Sequence, residues 1–201
     1  GLLTKVNDTG NVIWEQKHKI MNKYASIHSI VSTSNGYAIV GNTDDTLLNN
    51  GVFSNVFFGR IDNVGNLIYS KVYYSDRNED ASCMKKTSDN NFIFTFQKGQ
   101  LSLSDSTYAN IFLIDSLGVI ETQKSISSPD EIIFNSLLTI NNGDIIFVGD
   151  ADFLLPGGNT DIYLIRTDSL LNYPPNIIGI EVLSTEVPAE FILHQNYSNP
   201  F

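Results

Sequence analysis

The chain has 201 residues with a formal net charge of −10 and 42% hydrophobic residues, a composition that suits a folded globular protein and excludes wholesale disorder. No apolar run reaches the ~18 residues of a membrane-spanning helix, and 12 Lys and Arg against 22 Asp and Glu leave no cationic surplus to displace counterions, so no membrane span and no nucleic-acid partner is expected. Cys83 is the single cysteine, which excludes an internal disulfide and a cysteine-based zinc site.

Taken in chain order, short runs of Ile, Val, Phe and Tyr separated by Asn, Asp, Gly and Ser predict strands and turns. LLTKVNDTGNVIWEQKHK, from Leu2, reads as a hairpin about NDTGN with a strand over 12–19. IHSIVSTSNGYAIVGN, from Ile27, gives strands over 26–33 and 36–42. FFGRIDNVGNLIYSKVYY, from Phe57 to Tyr74, gives 54–61 and 66–74. ASCMKKTSDNNFIFTF, from Ala81, gives 81–88 and 91–97, and FLIDSLGVIETQKSI, from Phe112, belongs to strands over 108–115 and 119–125. FNSLLTINNGDIIFVG, from Phe134, gives 133–140 and 144–150, and YLIRTDSLLN, from Tyr163, closes the series with 161–167.

These units recur. Gly10, Gly65 and Gly118 mark equivalent turns at spacings of 55 and 53 residues, and Asp115 and Asp168 are again 53 apart. A second class of turn, marked by Gly36, Asn91 and Gly143, alternates with the first. Gly or Asn supplies positive φ in such turns, and an aspartate such as Asp62, Asp115 or Asp168 accepts backbone N–H bonds, so each unit reads as a β-hairpin. Two hairpins per period make a four-stranded unit that needs a neighbour on each face. The expectation is an all-β partial β-propeller of about three to four four-stranded antiparallel blades over residues 1–171, with an extended C-terminal linker and sorting segment over 172–201. Stand-alone propellers have about four to eight blades, so further blades are expected upstream of Gly1. The rival architecture, a stack of independent hairpin sandwiches, does not require so regular a period.

The pattern LIRTDS, a turn, a second strand and then TSNGYAIVGNT resembles the repeats of bacterial secreted propellers. Asp62, Asp115 and Asp168 hold the aspartate slot. Leu113 departs from the basic residue found at Lys5, Arg60 and Arg166, and Thr95 breaks the aliphatic-Gly ending kept at Gly41 and Gly149.

Catalytic candidates are sparse. Arg60, Arg77 and Arg166 invite comparison with the carboxylate clamp of sialidases, but Arg60 and Arg166 hold equivalent repeat positions, and NDTGNVIW places Trp14 six residues after Asp8, one more than the sialidase Asp-box does. The turn aspartates offer one carboxylate each, too few for calcium. Glu79-Asp80 and Asp130-Glu131 sit at matching places before a strand, where a solvated loop is the expected reading and a rim metal site the rival. His18, His28 and His194 lack metal-ligand spacing, no Ser-His-Asp order stands out, and Cys83 fills a slot held by Ser29 and Ser136. No catalytic residue, cofactor or metal is therefore expected. Asp-Ser-Leu at 115–117 and 168–170 resembles the O-glycosylation sequence of Bacteroidetes exported proteins, although a turn accounts for both.

After Leu171, NYPPN ends the repeat with a Pro-Pro step that donates no backbone hydrogen bonds. The tail then resembles the junction that opens the C-terminal sorting domain of type-nine secretion substrates. Pro188, Phe191, Leu193, Gln195, Asn196, Tyr197, Asn199, Pro200 and Phe201 match it at fixed spacing, with Ser198 in place of a proline. The resemblance implies a Gram-negative bacterium of Bacteroidetes type, secretion or display on the outer cell surface, and the secretion machinery as a partner. The functional expectation is a non-enzymatic extracellular module for binding, adhesion or scaffolding, with a glycan or protein ligand. Its rival is the structural part of a secreted propeller hydrolase, sialidase-like or otherwise glycan-acting, whose active site lies on upstream blades.

Overall fold

The computed structural model describes residues 1–45, 53–99, 106–128, 131–140, 142–151 and 161–173. Among them are thirteen strands and no helix. The strands are β1 (Leu2–Val6), β2 (Val12–Lys17), β3 (Ala25–Thr33), β4 (Gly36–Asp45), β5 (Phe53–Ile61), β6 (Leu67–Tyr73) and β7 (Glu79–Lys86). They continue with β8 (Phe92–Lys98), β9 (Thr107–Ile114), β10 (Ile120–Ser128), β11 (Ile132–Thr139), β12 (Ile145–Ala151) and β13 (Asp161–Thr167). Strands β3 to β6 form one four-stranded antiparallel sheet, blade 1, and β7 to β10 form another, blade 2. Strands β11 to β13 form blade 3, and β1 pairs with β2 in a separate hairpin. The chain is thus all-β, with four-stranded antiparallel sheets repeating in propeller-like order and not closing into a ring.

Repetition in the sequence leaves open which hairpin class begins a blade and which strand lies innermost. In the structure the unit beginning at Ile27, Ala81 or Phe134 comes first, and the first strands are the ones that meet their neighbours: β7 packs on β3, β4 and β5, while β11 packs on β7, β8 and β9. Both faces of a blade are consequently covered. Ile39, Phe57 and Ile61 of blade 1 pack with Leu3 of the hairpin, whereas Ala38, Val40, Val56 and Phe58 pack on Phe92, Phe94 and Phe96 of blade 2. This is why β8 is buried at every position from Phe92 to Phe96, all of them apolar except Thr95, where a half-exposed strand alternates. Each such large side chain contributes about 1.5–3 kcal/mol by leaving water.

The first strand of every blade carries a bulge, between Ile27 and Ser29, Ala81 and Met84, and Phe134 and Ser136. Opposite it, Gly41 faces Ile27 and Gly149 faces Phe134, and a Cβ at either glycine would overlap the carbonyl of Ser26 or Ile133. Blade 2 exchanges the sizes, with Phe96 facing Ala81. Phe96 therefore fills the glycine slot, beside Thr95 in the aliphatic one, so both residues of the aliphatic-Gly ending are replaced in blade 2.

Tight turns join β1 to β2, β5 to β6 and β9 to β10, and a matching turn follows β13. In the last three the aspartate Oδ1 accepts two amides: Val64 (3.0 Å) and Asn66 (2.8 Å) at Asp62, Leu117 and Val119 (both 2.8 Å) at Asp115, Leu170 (2.9 Å) and Asn172 (2.8 Å) at Asp168. Asn7 does the same in the first turn, toward Thr9 (3.1 Å) and Asn11 (2.8 Å). Gly10, Gly65 and Gly118 take positive φ there, and the fourth turn uses Leu171 at φ 64°. In the second class Gly36 and Gly143 carry positive φ, but in blade 2 the residue is Asn90; Asn91, the expected one, instead donates to Glu121 at 2.7 Å.

Between neighbouring sheets a repeated latch appears. Trp14 Nε1 donates to the Asn63 carbonyl at 3.0 Å, and Tyr69, at the equivalent position one period later, donates its hydroxyl to the Ser116 carbonyl. Thr122 holds the third such position. On the outward face of blade 3, Ile162 is 70% and Leu164 40% exposed, where their repeat equivalents Val56 and Phe58 are fully buried. Residues 174–201, with the whole sorting-junction motif and His194, lie outside the described residues.

Candidate functional site

Antiparallel order gives the arc two unlike rims. One carries the tight turns. At the other, the chain crosses from one blade to the next and links second strands to third. A cleft of about 540 Å3 opens on this second rim at the junction of blades 1 and 2.

Its walls are built from strand ends. Ser26 and His28, the latter at the β3 bulge, lie side by side, with Ser26 Oγ 3.0 Å from His28 Nε2. Asp80 on β7 brings its Oδ1 to 3.9 Å from the same nitrogen. Asp44 from the end of β4 and Gln97 from β8 add a carboxylate and an amide to the lining, and Gln97 Nε2 lies 3.4 Å from Glu131 Oε1.

Beneath this polar layer the two blades are sewn together. Asn42 Oδ1 accepts the Ala81 amide at 2.9 Å, and its Nδ2 donates to the Glu79 carbonyl, which also accepts from Ser54 Oγ. The Glu79 carboxylate accepts the buried Val56 amide at 3.1 Å. Burial pushes the Glu79 carboxyl above the usual carboxylate range, opposed by that amide bond. Asn78 Oδ1 accepts the Ser54 amide at 3.1 Å, fixing the crossover.

Ser26, His28 and Asp80 resemble a nucleophilic triad in composition only. Both contacts fall on Nε2, whereas a relay needs the serine and the carboxylate on opposite ring nitrogens. What the arrangement can do is donate and accept hydrogen bonds. The sequence signal for it was slight: Glu79-Asp80 were noticed as an acidic pair, but Ser26, Asn42 and Asp44 are ordinary strand-end residues until β3, β4 and β7 are juxtaposed.

The other candidates stand apart from one another. Arg60 donates to Thr33 Oγ1 (3.0 Å) and Asn35 Oδ1 (3.1 Å) and lies over the Phe92 ring. Arg166 donates twice to Asp144, at 2.8 and 2.6 Å, holding that carboxyl below its ordinary range. Arg77, on the opposite rim, lies over Tyr108. The three guanidinium groups do not converge. Cys83 sits in the seam between blades 2 and 3, 3.1 Å from Thr95 Oγ1 and 3.8 Å from the Phe134 carbonyl, and burial raises its thiol, which suppresses the reactive thiolate. Burial lowers His18. The backbone bonds accepted by Asp62 and Asp168 hold both carboxyls low, so their oxygens are already engaged. No group of three or more His, Cys, Asp or Glu among the described residues is placed to hold a metal ion. Asp130 lies outside the described residues.

A larger cleft, about 810 Å3, opens on the turn rim between blades 2 and 3. In its lining Thr87 Oγ1 donates to Asp89 at 2.6 Å, and Asn142 Oδ1 accepts the Asp144 amide at 3.1 Å.

No family model matches the chain. No curated protein matches it. Among solved structures it is similar to a protein of unknown function from Bacteroides caccae, at 9% identity over 83% of this chain and 85% of that one, with a TM-score of 0.23.

Proposed function

We propose that this chain is part of a non-enzymatic extracellular or cell-surface propeller module for binding, adhesion or scaffolding, exported by type-nine secretion from a Gram-negative bacterium. The observation that carries export is the tail, where nine residues from Pro188 to Phe201 keep the spacing of a sorting-domain junction. Supporting the binding role is a rim cleft rich in hydroxyl, amide and carboxylate groups, in which the Ser-His-Asp cluster lacks relay geometry.

The test is to produce the natural protein in a host with type-nine secretion, with and without everything after Asn172, and to follow the propeller by fractionation. The expected result is surface or medium localisation of the intact form and periplasmic retention of the truncated one. Unchanged export of the truncated form would remove the sorting reading. A hydrolase panel on the natural protein tests the binding role, because turnover of any glycan would replace it with the hydrolase reading.

A further inference from the structure

On the crossover rim, beside the cleft, lies an exposed apolar patch that the fold does not use. The connection from β2 to β3 makes a tight turn closed by Ile20 and Lys23, and two successive non-glycine residues take positive φ there, Met21 at 50° and Asn22 at 63°. Such conformations are strained and persist where the surroundings hold them. Ile20, fully buried, anchors the turn, while Met21 is 62% and Tyr24 82% exposed. Tyr74, from the next crossover, is 58% exposed, with its hydroxyl 3.0 Å from Met21 Sδ. Folding therefore leaves Met21 and Tyr74 in contact in solvent, with Tyr24 exposed three residues further along the same connection.

This patch continues into the cleft. The Tyr24 carbonyl accepts Thr43 Oγ1 at 3.1 Å and the Asp44 amide at 3.4 Å, so Tyr24 adjoins the strand end that brings Asp44 to the cleft wall. Lys98, next to Gly99 of that wall, is held by Asp76 at 3.2 Å. The cleft's own carboxylates, Asp44 and Asp80, repel anions. A ligand here needs an apolar face for the rings, many hydroxyls for Ser26, Asn78, Gln97 and the carboxylates, and no negative charge. Pyranose rings have that chemistry: axial C–H groups lie against aromatic faces, and vicinal hydroxyls pair with carboxylate and amide groups.

We propose that the crossover rim of blades 1 and 2 binds a neutral oligosaccharide, with Tyr24 and Tyr74 as the stacking platform and Asp44, Asn78 and Asp80 as hydrogen-bonding partners. This rests on the reading of the chain as a binding module and names its ligand class. The test is a calorimetric titration of the 201-residue chain with gluco-, manno-, galacto- and xylo-configured oligosaccharides, alongside sialylated and uronate-containing ones and a lysine-rich peptide. Binding of a neutral oligosaccharide is expected, weakened about tenfold by Tyr24→Ala or Tyr74→Ala, the loss typical of an interface anchor, and retained by Tyr24→Phe. Tyr24 is exposed, so the unfolding midpoint in urea should not move with its replacement. The proposal is overturned if no neutral oligosaccharide binds, or if binding survives both alanine variants unchanged. Capture of the lysine-rich peptide alone, lost in Asp44→Asn, overturns it while leaving the binding-module reading intact. Cleavage of an oligosaccharide whose affinity falls with Tyr24→Ala supports the site and overturns the non-enzymatic reading.

Discussion

The two rims of this arc are made by different kinds of chemistry. On the turn rim the recurring device is local: an aspartate or asparagine accepts amides two and four residues ahead, a positive-φ residue reverses the chain, and the pattern recurs at Asn7, Asp62, Asp115 and Asp168, with the Trp14 and Tyr69 latches added between blades. On the crossover rim the corresponding bonds are long-range. Asn42 reaches Ala81, Asn78 reaches Ser54, and Glu79 reaches Val56. A device of local bonds repeats because each turn can form it from its own residues. A rim of tertiary bonds can differ from blade to blade, and the cleft and exposed tyrosines lie there.

The sharpest way to break this contrast is backbone substitution within the turn rim itself. Gly36 has φ 139° and a Cβ there would overlap the Ile61 carbonyl, whereas Gly10, at φ 83°, has nothing within 4 Å of an added Cβ. Gly36→Ala should cost about 3 kcal/mol, from φ strain plus a backbone clash that cannot relax. Gly10→Ala should cost about 1 kcal/mol, from φ alone. Urea unfolding midpoints measure both, and equal losses would show that φ alone sets the cost in this rim and that the approach of the Ile61 carbonyl to Gly36 adds nothing.

Somewhat smaller is the effect of cutting the crossover rim at its centre. Asn42→Ala leaves the Ala81 amide and one acceptor site of the Glu79 carbonyl unpaired in a buried seam, and should cost about 2 kcal/mol. Asp115→Ala, which opens a turn to water, should cost about 1 kcal/mol. The ratio is the measurement, because reversed magnitudes would put the stability of the arc in its turns.

Glu79 on the crossover rim should also titrate with the opposite sign to the turn-rim carboxylates. Asp62, Asp144 and Asp168 are held low, so what they add to stability is present above their unfolded value and is lost as pH falls through the folded ones. Glu79 is held high by burial. Its contribution is complete below the unfolded value and is lost as pH rises through the folded one. Glu79→Gln should therefore raise stability at neutral pH and flatten the profile above the ordinary glutamate range, leaving the acid limb in place. Urea midpoints from about pH 3 to about pH 7 test this, and a variant less stable at neutral pH would mean that the carboxylate's bond to Val56 outweighs its desolvation.

The smallest predicted effect concerns the missing latch. Thr122 stands where Trp14 and Tyr69 reach a neighbouring turn, and Thr122→Tyr should stabilise the chain by about 0.5 kcal/mol by adding one exposed hydrogen bond and some ring contact. Tyr69→Phe should lose a similar amount. If neither moves the unfolding midpoint, the latch is a consequence of blade packing and contributes nothing to it.

Much of the fold was legible in the sequence because hairpins are short-range objects. Gly65, Gly118 and Asp168 announce their turns through the conformations and bonds that those residue types favour, and the spacing between turns counts the strands. Asn90 was missed in favour of Asn91 because the turn of blade 2 places one residue more between Lys86 and Phe92 than blade 1 has between Ser32 and Tyr37. The exchange of Phe96 and Ala81 for a glycine and a large residue was hidden for another reason. It is a volume compensation across a strand pair, and neither partner signals it alone. The cleft was the least legible feature: Ser26, Asp44 and Asp80 are far apart in sequence, and none is unusual for a strand end.

Sequence alone settled that the chain is all-β, that its hairpins repeat at about one blade length, and where most turns fall, since periodic apolar runs and turn residues act within a few neighbours. Tertiary structure decided that β3, β7 and β11 are the strands that meet, that the hairpin beginning at Ile27 opens a blade, and that Ser26, His28 and Asp80 share one cleft. Those outcomes depend on how one twisted sheet stacks on the next, a choice made by the summed burial of two whole faces, which no single segment encodes.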